Sequence, residues 1–476
     1  MHRIVFIFLL VSFFGNAQKL VTIPDENFAQ FLKEKYPTCF IENQLDITNS
    51  LIVKEDSLSI DSLYIQDYSG LEYFKNLTFL DCSNNPAFKL PKLSIHLKSL
   101  NCSQNFLTKL PKLDHHLVYL NCSANQLEEL PELNDNLTYL NVGYNKLNKL
   151  PVLPKKIQIL LVNDNAISVF PLSQSLKEIN CSNNLIKNIP SLNNELISLD
   201  CSHNLIETIP SLPQNVTVFN CGFNNIVSLP KFPESLLKLD FTANKIEQLK
   251  VLPSHLISLN CSENRLSKLP LLPQSLKELY CANNQLSSLP ELPLKLEAIW
   301  CGFNQLTTLP RLPETISYFF CGNNQLECIP TIPSSVEFGD ISDNKLQCLP
   351  AKFDWLDANS LTLPICKLEE TDCNQSKEVI EKEEIIHFNF SKSLTKIDDL
   401  PSVSIYPNPT NDKIYIETTS KIESLKLSDI EGKEIKNIEL NVNSSEIDLS
   451  DLINGVYFLQ ITIDSNKTLY KIIKTQ

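Results

Sequence analysis

Residues 276–293 read L-K-E-L-Y-C-A-N-N-Q-L-S-S-L-P-E-L-P, and the stretch matches again when it is moved twenty residues in either direction. The asparagine at its centre recurs at Asn85, Asn105, Asn125, Asn145, Asn165, Asn184, Asn204, Asn224, Asn244, Asn264, Asn284, Asn304, Asn324 and Asn344. Every step is twenty residues except Asn165 to Asn184, which is nineteen. A fixed period of this length describes an array of stacked supersecondary units. One unit has too few apolar positions to close a core alone, so neighbours must cover each other.

The consensus L-x-x-L-x-C-x-x-N-x-L-x-x-L-P-x-L-P predicts how each unit runs. The L-x-C alternation reads as a short strand with Leu279 and Cys281 inward and Glu278, Tyr280 and Ala282 outward. The paired prolines fix φ and remove donors, so the return leg is expected to be extended or polyproline-like, not helical. The repeated Asn suits a buried turn, because its amide can bond backbone groups the turn leaves unpaired. Strands about 4.8 Å apart then build a parallel sheet on the order of 60 Å long.

This pattern, over residues 60–350, resembles the leucine-rich repeat, in its short bacterial variety with L-P-x-L-P. The expected fold is an α/β-type solenoid, mostly β and irregular: a horseshoe with a parallel concave sheet and extended returns. Residues 18–59 read as an N-terminal cap, in which Asp25 caps a short helix with Phe28, Phe31 and Leu32 on one face. Ile60 to Asn76 reads as a degenerate first repeat, with Ile60, Leu63 and Ile65 at strand positions. Residues 351–373 read as a C-terminal cap and 374–401 as a linker.

The two ends of the chain point to export. Residues 1–17 combine a basic start, the apolar run Ile4 to Phe14 and small residues before Gln18, the pattern of a secretory signal peptide cleaved after Ala17. No later segment has the roughly twenty apolar residues of a membrane-spanning helix. From Ser402 the sequence changes to alternating apolar runs separated by P-N-P, E-G-K and N-G, the signature of a small antiparallel β-sandwich. Tyr406-Pro407-Asn408-Pro409, the Asp429/Gly432-Lys433 turn, Gly455-Val456-Tyr457 and Lys471 to Lys474 together make this segment similar to the C-terminal sorting domain of type IX secretion substrates in Bacteroidetes. The resemblance implies passage across the outer membrane, through contacts that residues 402–476 make with the type IX machinery, to a secreted or cell-surface location.

Of the 15 cysteines, one set sits at the inward strand position: Cys82, Cys102, Cys122, Cys181, Cys201, Cys221, Cys261, Cys281, Cys301 and Cys321. Val142, Val162, Phe241 and Ile341 fill the same position elsewhere, so the site asks for a hydrophobe, which a buried thiol is. No paired C-x-x-C or His spacing suggests metal. Cys328, Cys348, Cys366 and Cys373 are disulfide candidates in an exported protein. Three connectivities are open, of which Cys328–Cys348 with Cys366–Cys373 is favoured because adjacent repeats hold equivalent Cα atoms about 5 Å apart.

A net charge of -14 argues against nucleic acid as a partner. No nucleophile motif, phosphate loop or metal cluster appears, and His115 and His116 read as solvated residues of a return loop. Neither enzymatic activity nor any cofactor or metal is expected. The alternative is an effector of the bacterial ubiquitin-ligase type, which this repeat variety resembles, but the interval 351–401 is too short for the catalytic domain. The binding expectation rests on the outward position before each Cys. It reads Asp81, Asn101, Asn121, Asn141, Leu161, Asn180, Asp200, Asn220, Asp240, Asn260, then Tyr280, Trp300, Phe320, then Asp340. With Phe303, Tyr318 and Phe338 nearby, the three aromatics predict a contiguous patch on the concave face that binds a protein or glycan ligand. The bland reading is that the rings only cover the sheet near its end.

Overall fold

The computed structural model describes residues 19–349, 403–406, 413–428, 434–452, 455–463 and 466–474. The chain divides into two compact units, 1–383 and 384–476. The expected signal peptide, C-terminal cap and linker lie outside the described residues.

In the first unit, each repeat gives a strand of three residues, such as Glu278–Tyr280 or Ala298–Trp300. Fifteen of these form one parallel sheet in strict chain order. Equivalent residues pair directly, as in Leu279 with Leu259 and Ile299. Leu279 and Cys281 are fully buried, as their alternation requires, while Glu278, Tyr280 and Ala282 are half-buried on the other side. Among the described residues the return legs carry no helix except in the first repeat, where Leu71–Tyr73 forms a single 3-10 turn. Most legs close through a tight turn in which the carbonyl before the strand accepts an N–H three residues on, as Pro273 does from Leu276 at 3.0 Å.

The consensus Asn is the connector between repeats. The Asn224 amide donates to the carbonyls of Cys201, Cys221 and Gly222 at 3.0, 3.1 and 3.0 Å. Its Oδ1 accepts the Ile206 N–H at 2.9 Å. The residue before each Asn, from Asn84 to Asp343, sits in the left-handed region with φ between 50° and 56°. No glycine occupies this column, although the conformation costs other residues about 1 kcal/mol. From Asn84 to Asn323 the N–H of each such residue donates to the next repeat, as Asn283 does to the Gly302 carbonyl at 3.0 Å. The nineteen-residue repeat keeps this geometry: Ile159–Leu161 and Glu178–Asn180 pair in register. Its missing residue comes out of the return leg.

The N-terminal cap follows the sequence closely. Asp25 Oδ1 accepts the Phe28 N–H at 3.0 Å and starts the helix Glu26–Lys35, which buries Phe28 and Leu32. Its second oxygen accepts the Gln66 N–H at 2.8 Å and so ties the cap to the first repeat. The degenerate repeat begins earlier than its sequence suggested. The strand is Ser57–Ser59, with Leu58 paired to Leu80. Ile60 therefore takes the cysteine position, and Leu63 and Ile65 lie past the strand, where Asn85 Oδ1 accepts both their N–H groups at 3.1 and 2.9 Å. A two-residue insertion relative to the consensus hid this register.

The second unit is antiparallel, as expected, but its five strands form one hydrogen-bonded sheet. Two of them, Lys413–Ser428 and Glu434–Asp448, are long, with 16 and 15 residues. Register shifts between Glu417 and Ile422 bend the pair. The first half of Lys413–Ser428 pairs with Val403–Tyr406 and the second half with Gly455–Ile463. Ile416, Leu425, Leu427, Leu459, Ile461 and Ile472 form its core.

Candidate functional site

The outward face of the parallel sheet carries two columns of side chains, at the first and third positions of each strand. In the third column every Asn or Asp performs one local task. Its side-chain oxygen accepts the N–H two residues on, from Asp81 with Ser83 at 2.9 Å to Asp340 with Ser342 at 2.9 Å. The same bond is made by Asn101, Asn121, Asn141, Asn180, Asp200, Asn220, Asp240 and Asn260. These Asx turns close the backbone after the strand.

The three aromatic repeats have no such acceptor. The N–H groups of Ala282, Gly302 and Gly322, which follow Tyr280, Trp300 and Phe320 by two residues, have no hydrogen-bond partner among the described residues. Gly302 and Gly322 are buried and Ala282 is half-buried. Small residues are needed there: a Cβ on Gly322 would lie 2.4 Å from Asp340 Oδ2, and one on Gly302 2.9 Å from the Gly322 carbonyl. Local stability thus favours Asn or Asp at positions 280, 300 and 320, and the aromatics stand there against it. Leu161 makes the same exchange once, without neighbours.

The rings themselves are ordered. Tyr280 stacks on Trp300 at 4.6 Å and 14°, and Trp300 on Phe320 at 5.0 Å and 7°. Tyr318 joins Trp300 at 5.9 Å, and Phe338 joins Tyr318 at 5.7 Å. The structure therefore gathers five of the six candidate residues into one stack. Phe303 does not belong to it. It occupies the left-handed turn column at φ 54°, is 55% exposed, and makes no ring contact with the five. The sequence offset of three residues looked close but carries the side chain round the turn. Burial, with Glu278 and Tyr318 adding to it, pushes the Tyr280 phenol up to about 12, so it remains a hydrogen-bond donor near neutral pH.

Sequence reasoning missed the orphaned N–H row, although its signal was present. The residue two after the column is Ser, Thr or Gly wherever the column is Asn or Asp, and its acceptor disappears with the aromatics. A second stack, Tyr119 on Tyr139 at 4.4 Å, occupies only the first column and leaves the caps at Asn121 and Asn141 in place.

The ladder cysteines are fully buried free thiols. Burial raises all of them, to about 12 for Cys122 and Cys301. They are core, not chemistry. Cys328 and Cys348 are disulfide-bonded. Cys366 and Cys373, the other half of the favoured pairing, lie outside the described residues. No helix among the described residues is long and apolar enough to cross a membrane.

Comparison with known proteins adds two results. Residues 404–475 match the family described as the secretion system C-terminal sorting domain. Among solved structures, the chain is similar to the functional domain of InlJ from Listeria monocytogenes, which includes a cysteine ladder: TM-score 0.63, 20% identity, 96% of this chain and 98% of that one. It is also similar to YopM, a leucine-rich effector from Yersinia pestis, with TM-score 0.53 and 32% identity over 60% of this chain and 88% of that one. YopM from Yersinia enterocolitica WA-314 matches at TM-score 0.43 and 30% identity, covering 64% and 81%. No curated protein sequence matches.

Proposed function

The chain belongs to the leucine-rich-repeat proteins and ends in a secretion system sorting domain, and we propose that it is an exported, non-enzymatic recognition protein that binds a protein ligand on its concave face. A signal peptide at residues 1–17 and type IX export through residues 402–476 would deliver it to the cell surface or medium. The observation that carries the binding reading is the loss of three consecutive Asx turns at Tyr280, Trp300 and Phe320. An unpaired buried N–H costs about 1–3 kcal/mol, and stacked rings return only about 0.5–1.5 kcal/mol per pair beyond their burial. Sites that hold residues against local stability are where function is expected.

The stacking bears on the ligand class. Faces of the Tyr280, Trp300 and Phe320 rings are turned to each other, so a sugar face could lie only at the ends of the column. Ring edges carry partial positive charge, and the orphaned N–H groups are donors. Both favour oxygen acceptors. Asp340 adjoins the column at one end, Asp240 lies one repeat beyond Asn260 at the other, and the chain carries a net charge of -14, which disfavours carboxylates. Neutral main-chain carbonyls of an extended protein segment fit these demands together.

Capture of surface proteins on the mature chain, run beside a glycan array, tests this. Trp300→Ala is expected to weaken the captured protein by about 2 kcal/mol, roughly thirtyfold. Unchanged affinity, or binding confined to glycans, would overturn the reading.

A further inference from the structure

The return legs of two neighbouring repeats carry a second cluster, unrelated to the sheet face. Asp114, His115 and His116 are the one group of at least three metal-ligating side chains among the described residues whose donor atoms lie within 4.8 Å of one another. His115 Nδ1 lies 2.8 Å from Asp114 Oδ1, and His116 Nδ1 lies 3.2 Å from the same oxygen. The two imidazoles are 4.0 Å apart between centroids, and His96, one repeat back, is 6.1 Å from His116. Solvated neighbours in a loop would be expected to point apart. Here both turn to one carboxylate oxygen.

We propose that Asp114, His115 and His116, with His96 or water as the fourth ligand, form a binding site for a divalent first-row transition ion of the zinc type. Donors bonded at about 2.0–2.2 Å in a tetrahedral site stand about 3.4 Å apart, close to the 2.8 and 3.2 Å observed. Two imidazoles and one carboxylate are a donor set that suits such an ion. The ion takes the place of the hydrogen bonds between the carboxylate and the rings, and each neutral ring that binds through one nitrogen carries its proton on the other. Both His rings are exposed and can turn to present either nitrogen. The cost is the hydrogen bond that His116 Nδ1 makes with the Ile95 carbonyl at 2.9 Å. The backbone of Asp114 is held by the turn, in which its carbonyl accepts the Leu117 N–H at 3.4 Å. With His96 as a ligand, the ion would bridge two return legs.

The neighbouring repeat supplies a control that should fold. Asn134 and Asn136 stand where Asp114 and His116 stand, and Asn134 Oδ1 accepts the Asn136 N–H at 2.8 Å. The double variant Asp114→Asn/His116→Asn therefore copies a turn the protein already builds. Titration of the untagged, chelator-treated full chain with Zn²⁺ should show one ion per chain, and the double variant should bind at least tenfold more weakly. His203→Asn, in a turn on another part of the array, should leave binding unchanged. No uptake by the native chain, or equal uptake by the folded double variant, would overturn the proposal.

Discussion

Asn244 Oδ1 accepts the N–H of Ile226 from the preceding repeat at 2.9 Å. The same bond recurs along the array, so the consensus amide staples each repeat to the one before it, beside the backbone bonds of the sheet. Since each repeat contacts only its neighbours, the stability of the array is a sum of such interfaces.

Asn224→Ala removes three donated bonds and one accepted bond from buried backbone groups. It should lower unfolding free energy by about 3 kcal/mol or more. Urea denaturation measures this, and a loss under about 1 kcal/mol would show that water replaces the amide.

Trp300→Asn restores the consensus. Asn220 already caps a glycine, accepting the Gly222 N–H at 3.1 Å, so the new side chain has a precedent for capping Gly302. Pairing the orphaned N–H regains about 1–3 kcal/mol, against three ring contacts at about 0.5–1.5 kcal/mol each. Stability should therefore change by no more than about 1 kcal/mol while ligand binding is lost. A large fall in melting temperature with affinity intact would assign the rings to cover alone.

The thiol ladder predicts alkaline sensitivity. Burial lifts Cys122 and Cys301 to about 12 in the folded chain, against about 8.5 for an unfolded thiol. Their contribution is complete below about pH 8.5 and is lost as pH rises toward 12. Thermal melts between pH 8 and 11 should show falling stability. Cys301→Val, which copies Val142 and Val162, should flatten the fall without loss at pH 7. An unchanged slope would put the alkaline effect elsewhere.

Alkylation counts the thiols directly. The native chain should resist modification at pH 8, since the described free cysteines are all buried. After denaturation without reductant, Cys328, Cys348, Cys366 and Cys373 should remain unlabelled, and peptide mapping will give their pairing. Label on any of the four would reduce the disulfide framework of the expected C-terminal cap.

Export can be followed by mass spectrometry of surface and periplasmic fractions. The mature chain should begin at Gln18, and residues 402–476 should be absent or replaced on the surface form. An intact C-terminus there would contradict removal of the sorting segment.

Much of this architecture was legible because a stacked array repeats its physics. The inward Leu and Cys, the extended returns and the buried Asn could each be read from one unit and checked against its neighbours. The start of the array was not, because the first repeat substitutes Leu63 for the Asn, leaving no landmark for the register. At the candidate site, the aromatic break was visible in one column. Its cost was not, because the N–H groups of Ala282, Gly302 and Gly322 become orphans only when the Asx turn is seen in three dimensions. The Asp114 cluster was read as solvent-facing since adjacent histidines in sequence rarely converge, and nothing in the spacing shows that these do.

The nineteen-residue repeat has a consequence for how such a chain can evolve. Between Asn165 and Asn184 one residue has been lost from the return leg, yet strand pairing and the amide staple on either side are undisturbed. Length changes are thus absorbed in the return leg. The step of five residues from the strand centre to its Asn keeps one length throughout, because both ends are fixed to the adjacent copy. Whole units can be duplicated or deleted by unequal recombination without altering the cross-section, so the array can grow or shrink genetically while its aromatic repeats keep their local geometry.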